Sequence, residues 1–136
     1  MAKQIFVNIP VKDLKVAIAF YTKLGFTFNQ QFTDENATCM IVSENIMIML
    51  LREEFFKQFT PKTISNAKET TEVLICISAD SREEVDQYVS LAIEAGGKAL
   101  MPKQDHGWMY GHGFEDLDGH MWEISYIDMS ALPKNA

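Results

Sequence analysis

The feature that most constrains the fold is an order of strand, helix and three further strands that occurs twice along the chain. In the first half, a strand-like run at 4–11 leads through Asp13, a good N-cap, into a helical stripe that ends at Gly25. Three strand-like runs, separated by turn-forming clusters, follow at 26–32, 37–42 and 46–51. The first half therefore predicts a βαβββ module.

The second half repeats this order with different residues. A strand-like run at 72–79 reaches Ser81, which with Glu84 predicts a capping box before a helical stripe that ends at a Gly-Gly pair. Three more strand-like runs follow at 98–102, 106–114 and 120–127. The dipeptide Asp118-Gly119 predicts a hairpin turn between the last two. The chain is thus an internal duplication in pattern.

Two such modules in 136 residues predict one α+β domain. The modules span roughly 1–55 and 71–128, and the connection at 56–70 carries a few anchoring aromatic residues. Each module supplies a mixed sheet with a helix on one face. We therefore expect curved sheets that enclose a cavity, with the helices on the outer faces. At 47% hydrophobic residues, the chain can form this core without disulfides.

Composition excludes several classes of partner. A net charge of −7 and scattered lysines leave no basic surface for nucleic acid. No apolar run approaches the roughly 20 residues that span a bilayer, and residues 1–4 lack the start of a signal peptide. Cys39 and Cys76 lie in apolar runs, which favours free thiols in a reducing compartment. We expect a soluble, cytoplasmic protein without membrane contact.

Two segments carry a resemblance to a known superfamily. The sequences NIPVKDL at 8–14, AFY at 19–21 and LGF at 24–26 resemble the opening of vicinal-oxygen-chelate proteins, which include glyoxalases, bleomycin-resistance proteins and extradiol dioxygenases. The sequence FEDLDGH at 114–120, followed by Trp-Glu at 122–123, is similar to their closing hairpin. Because these segments bracket nearly the whole chain, the resemblance supports the duplicated fold.

The resemblance also implies where a metal would bind. Metal-dependent members take ligands from the first and last strands of each module and keep open positions for substrate oxygens. The matching positions are Phe6, the strand at 46–51 that contains Met49, Leu74 and Glu123. Only Glu123 is a ligand type, whereas a catalytic site normally needs three. We expect no metal cofactor, and the candidates for lining a ligand site are Phe6, Asn8, Met49, Leu74 and Glu123.

Trp108 and Tyr110 belong to a polar and aromatic cluster near the closing hairpin. Their rings offer broad contact surface with a hydrogen-bonding tip, which is typical of small-molecule pockets. The same residues also suit a hairpin packed against a partner subunit. Trp108 and Tyr110 are therefore candidate ligand contacts, with packing as the alternative.

Histidines near the hairpin are weaker candidates for a metal site. His106 and His112 could approach Glu123 across the hairpin. Regular alternation along a strand places His120 and Glu123 on opposite faces, which argues against a metal held by both. Loop histidines that make ordinary hydrogen bonds are the alternative interpretation.

These observations favour a small-molecule binder of the bleomycin-resistance-like kind, without the usual metal site. The alternative is a metal-dependent lyase resembling lactoylglutathione lyase, or an extradiol-dioxygenase-like enzyme, with ligands from Glu123, the histidines and Asn8. A divalent metal would be the cofactor of such an enzyme. Whether the chain is an enzyme at all depends on which of these two hypotheses is correct. The resemblance alone implies a homodimer.

Overall fold

The computed structural model describes residues 3–133, which form two compact units that divide between Ser65 and Asn66. Each unit contains one four-stranded mixed sheet and follows the predicted βαβββ order. The α+β class and the tandem modules predicted from the sequence are confirmed. Between residues 3 and 133, no helix has the length and apolar character needed to cross a membrane.

The first unit is built from four strands and a helix. The strands are Ile5–Val11 (β1), Thr27–Asn29 (β2), Ala37–Ser43 (β3) and Ile46–Arg52 (β4), and their order in the sheet is β1-β4-β3-β2. β1 runs parallel to β4, and β3 runs antiparallel to both neighbours. The helix Leu14–Lys23 (α1) begins after Asp13, whose carboxylate accepts a hydrogen bond of 3.2 Å from the Val16 backbone N–H. The predicted N-cap is thereby confirmed.

One face of this sheet packs against α1. Ile48 and Leu50 on β4 are almost completely buried, as are Thr38 and Met40 on β3, because alternate residues of a strand share a face. The helix contributes an apolar stripe at the i, i+3 and i+7 spacing expected for a packed face. The buried members of that stripe are Leu14, Ala17, Phe20 and Tyr21.

The connection after β4 contains two helical turns that the sequence did not predict. Glu53–Phe56 forms a short helix (α2), and Lys57–Phe59 continues it as a 3-10 turn. The rings of Phe55 and Phe59 meet edge to face, with centroids 5.1 Å apart. The aromatic residues predicted to anchor this segment therefore contact each other within a helical turn.

The second unit repeats the strand order of the first, but an irregular segment precedes its second strand. Its strands are Leu74–Ser78 (β5), Gln104–Asp105 (β6), Met109–Glu115 (β7) and Met121–Ile127 (β8), in the order β5-β8-β7-β6. The strand predicted at 98–102 was wrong, because only Lys98 bridges to the sheet, at Glu115. Pro102 has no N–H to donate, so a ladder cannot continue through it, and the two-residue β6 that follows supplies the fourth strand.

The strand predicted at 106–114 also begins late. Gly107 has φ 81°, and the His106 N–H donates to the Met109 carbonyl at 2.8 Å, so a tight turn precedes β7. This positive φ favours glycine, since other residues rarely adopt it. The signal was present in the sequence as Gly107, which interrupts an otherwise strand-like run.

The helix Arg82–Glu94 (α3) covers one face of the second sheet. The Ser81 hydroxyl accepts from the Glu84 N–H at 3.1 Å, as predicted, while the Glu84 carboxylate accepts from the Asp80 N–H at 3.0 Å. The core beneath α3 is formed by residues that are almost completely buried. They are Val85, Val89, Ala92, Phe114, Trp122 and Ile124.

Asp116 organises the predicted hairpin between β7 and β8. Its side chain is only 3% exposed, and its Oδ1 accepts from the N–H groups of Asp118 and His120, each at 2.9 Å. Gly119 follows with φ 94°, and a Cβ there would lie 2.6 Å from the Lys68 backbone nitrogen. The hairpin is confirmed, and its glycine is required by both conformation and close packing.

Candidate functional site

A cavity of about 280 Å³ lies on the face of the second sheet that is opposite α3. Alternation along β8 directs Trp122 and Ile124 into the core beneath the helix and leaves Glu123 on the other face. The cavity floor is formed by residues of β7 and β8, most of which have a small side chain or none. The floor residues are Gly111, Gly113, Glu123 and Ser125.

Glu123 lies opposite Gly113 on β7 and opposite Cys76 on β5. A Cβ on Gly113 would be 3.5 Å from the Glu123 Cγ, so the glutamate side chain extends over a glycine. The side chain is exposed, and within residues 3–133 its carboxylate takes part in no hydrogen bond or ion pair. The structure therefore presents an uncommitted carboxylate at the cavity.

One wall of the cavity is the segment 99–103, defined here as the wall segment. Its two ends are fixed by the Lys98 bridge to Glu115 and by the pairing of β6 with β7. Between them, His112 Nε2 lies 3.0 Å from the Met101 carbonyl oxygen and donates to it when that nitrogen carries the proton. Met101 itself is 60% exposed although it lines the cavity.

Tyr110 lies on the other face of the same sheet, toward α3. Its hydroxyl donates to Asp86 Oδ1 at 2.6 Å, and Lys103 Nζ lies 3.3 Å from the same oxygen. The hydrogen bond from Tyr110 lowers the pKa of Asp86, and the same bond raises the pKa of Tyr110. Tyr110 and Glu123 therefore lie on opposite faces of the sheet, and the Tyr110 hydroxyl is hydrogen-bonded to Asp86 of α3.

Trp108 occupies the turn before β7 and is not among the residues that line the cavity. Its carbonyl accepts a hydrogen bond of 2.7 Å from the Asp128 N–H, and its ring stacks on His106 with centroids 6.4 Å apart. Trp108 and His106 therefore form a contact of their own beside the second sheet.

Arg82 is a residue of this region that the sequence did not single out. Its guanidinium donates to both carboxylate oxygens of Asp105, at 2.8 and 3.1 Å, and to the Gly107 carbonyl at 3.1 Å. It also lies 4.9 Å from the ring centroid of Tyr110. The hydrogen bond from Arg82, helped by the Gly107 N–H, lowers the pKa of Asp105 to about 2.

The candidates of the first unit share the face opposite α1. Asn8 and Met49 are register partners across β1 and β4, and Phe6 lies two residues before Asn8 on the same face. Phe6 is 50% exposed, and the Asn8 side chain donates to the Phe6 carbonyl at 3.2 Å. In the second unit, Leu74 is 55% exposed and pairs with Met121, which lines the cavity.

The cysteine thiols are both free. Cys39 is buried in the first unit, and this burial raises the pKa of its thiol. Cys76 is exposed although it lies in an apolar run of the sequence, and its Sγ lies 3.4 Å from Ser125 Oγ. Alternation accounts for the exposure of Cys76, because Cys76 shares with Glu123 the face of the second sheet that is opposite α3.

A divalent ion does not fit the donors that are present. Across residues 3–133, no three or more His, Cys, Asp or Glu side chains are grouped so that they could hold a metal. His112 and Glu123 both border the cavity, whereas His106 lies in the turn before β7. Phe6, Met49 and Leu74 contribute no ligand atoms of the kind used by the metal-dependent proteins.

Comparison with protein families shows which superfamily the chain belongs to. The family model of the Glyoxalase/Bleomycin resistance protein/Dioxygenase superfamily matches residues 3–124. The chain belongs to this superfamily, as its opening and closing segments indicated. Among curated protein sequences, none gave a significant match.

Solved structures confirm the fold. A hypothetical protein of S. aureus, SA1046, is 28% identical with a TM-score of 0.78, and the match covers 93% of this chain and 94% of that one. A superfamily enzyme of Burkholderia phytofirmans PsJN is 20% identical with a TM-score of 0.76, over 93% and 99% of the chains. The fosfomycin resistance protein FosX of Listeria monocytogenes is 16% identical with a TM-score of 0.67, over 96% and 97%. The latter two similarities concern the fold alone.

Proposed function

We propose that this chain is a small-molecule-binding protein of the bleomycin-resistance-like kind, and that it binds its ligand without a metal ion. The observation that carries the proposal is the cavity on the open face of the second sheet, where the uncommitted Glu123 carboxylate lies among glycines and apolar side chains. Binding sites typically combine an apolar lining with a few placed polar groups. This cavity has that composition.

The donor set supports the metal-independent part of the proposal. Glu123 is the one acidic side chain that borders the cavity among the described residues, and His112 is turned toward the Met101 carbonyl. Catalytic metal sites generally use three protein ligands and an open position. Two groups from one hairpin fall short of that requirement.

Elemental analysis tests this proposal directly. The protein would be purified without a metal-affinity tag and analysed before and after incubation with divalent iron, manganese, nickel and zinc. We expect well under one equivalent of metal in each sample. A stoichiometric metal that is lost in the Glu123→Gln variant would overturn the proposal and favour the metal-dependent lyase or dioxygenase.

We also propose that the protein is a cytoplasmic homodimer. The free thiols of Cys39 and Cys76 suit a reducing compartment, and the exposed apolar residues Phe6 and Leu74 suit burial against a second copy. Light scattering at micromolar concentration should give twice the monomer mass of 15.5 kDa. A monomer mass would reject the dimer without affecting the proposed binding site.

A further inference from the structure

The charge of the cavity limits what it can bind. Of the described residues that line it, none is a lysine or an arginine, and Glu123 carries the only fixed charge. Lys103 is adjacent in sequence to residues that line the cavity, but its ammonium pairs with Asp86 on the helix side of the sheet. A bound carboxylate or phosphate would therefore meet Glu123 without a compensating cation, whereas a cation would gain a partner.

The shape of the floor limits the ligand further. The strand β7 directs Met109, Gly111 and Gly113 to the face of the sheet that holds the cavity. Two of these three successive positions therefore have no side chain. Glycine in the interior of a strand often marks a place where another group approaches the backbone closely. The floor between Met109 and Glu123 carries no bulky side chain, which suits a flat molecule.

Methionines surround that floor. Met101 belongs to the wall segment, Met109 lies on β7, and Met121 lies on β8. A thioether is polarizable and makes favourable contacts with aromatic rings, and its flexible side chain adapts to the shape of a ligand. Three methionines beside a bare backbone thus favour an aromatic ring.

Size sets the last limit. At about 280 Å³, the cavity is slightly smaller than the range of roughly 300–1,000 Å³ that holds drug-sized molecules. One ring or two fused rings would fill it. We infer that the ligand of this site is a compact, planar, aromatic cation whose charged group pairs with Glu123 while its ring lies against the floor at Gly111, between Met109 and Glu123. This inference rests on the proposed function and names its ligand class.

Three probes of one shape and different charge test the inference. They are 2-naphthamidine, 2-naphthamide and 2-naphthoate, which are cationic, neutral and anionic at pH 7. Calorimetric titration should give the tightest binding for the amidine and the weakest for the naphthoate. The Glu123→Gln variant should weaken amidine binding by about tenfold to a hundredfold, the usual loss for a hydrogen bond to a charged group.

Matched controls separate charge from fold and locate the site. Glu94→Gln removes an exposed carboxylate from α3, on the far side of the sheet, and should leave amidine affinity unchanged. In protein labelled at methionine methyl groups, the amidine should shift the NMR signals of Met101, Met109 and Met121. The signal of Met40, which is buried in the first unit, should stay in place.

The possible failures are distinguishable. Equal affinity for all three probes, or unchanged amidine affinity in Glu123→Gln, would overturn the aromatic cation while the binding of naphthamide still supported the proposed function. Binding that shifts none of the three cavity methionines would also overturn the inference. If none of the probes binds, both the inference and the proposed function fail.

Discussion

Arg82 and Asp105 form a bidentate ion pair that joins α3 to β6, with N–O distances of 2.8 and 3.1 Å. The pair fixes the end of the wall segment next to β6, and the Gly107 carbonyl accepts a third hydrogen bond from the same guanidinium. A planar guanidinium suits this bidentate geometry, which a lysine could not reproduce. The position of one cavity wall therefore depends in part on a helix on the other side of the sheet.

Removing this guanidinium should change the titration of Asp105. In Arg82→Met, the pKa of Asp105 should rise from about 2 toward its ordinary value of 3.8, because its main hydrogen-bond donor is lost. A lowered pKa in the folded state means that the pair stabilises the fold above pH 3.8 and that this contribution is lost as the pH falls toward 2. The free energies of unfolding of the two proteins should therefore converge at low pH.

NMR titration of the Asp105 carboxyl carbon measures this pKa, and urea unfolding at pH 7 and pH 2 measures the stability difference. Both side chains are partly exposed, so solvent screening should keep the difference at pH 7 small. Arg52→Met, which affects a hydrogen bond to Asn36 in the first unit, is the matched control. An Asp105 pKa that stays near 2 in Arg82→Met would contradict the assigned cause.

The two glycines of the cavity floor should respond differently to alanine. A Cβ at Gly113 would lie 2.5 Å from the Trp122 carbonyl oxygen, which is backbone and cannot move aside, so Gly113→Ala should cost about 1–3 kcal/mol of stability. At Gly111 the nearest atom would be Ser125 Oγ at 3.2 Å, which can rotate away, so the change should stay within about 1 kcal/mol. Urea unfolding of both variants makes the comparison, and equal losses would refute it.

The buried carboxylate of Asp116 should be important for the hairpin. In Asp116→Ala, the N–H groups of Asp118 and His120 lose their acceptor, and an unsatisfied buried donor costs roughly 1–3 kcal/mol. Asp116→Asn keeps an oxygen in the same place and should lose less. Thermal unfolding of the two variants distinguishes them, and a similar loss in both would mean that the negative charge matters more than the acceptor.

Tyr110 provides a test of which face holds the ligand. Tyr110→Phe deletes the hydrogen bond of 2.6 Å to Asp86, so stability should fall by about 1 kcal/mol and the pKa of Asp86 should rise. Because Tyr110 faces α3, the affinity for 2-naphthamidine should not change. A large loss of affinity with unchanged stability would move the site to the helix side.

Much of this architecture could be predicted from local sequence patterns. The caps at Asp13 and Ser81 and the turn at Gly119 depend on residues close in sequence, and all three lie where the patterns placed them. The exposed position of Glu123 followed from alternation along one strand. Such features need no knowledge of distant contacts.

Other features depend on residues far apart in the chain. The pairing of Arg82 with Asp105 spans 23 positions, and neither residue belongs to a motif that would have linked them. The separation of Tyr110 from Glu123 required the register of β7 against β8, which the glycines of β7 obscured in the sequence. The wall segment resembled a strand in composition, and only the missing ladder showed otherwise.

The wall segment has a practical consequence for protein engineering. In the described chain, residues 99–103 contribute no backbone hydrogen bonds to the sheet ladder, and the Met101 carbonyl is held by an imidazole instead. Substitutions at Leu100 and Met101 can therefore change the lining of the cavity without disturbing strand pairing. A combinatorial library at these two positions would vary the shape and polarity of the cavity wall while the strands keep their pairing.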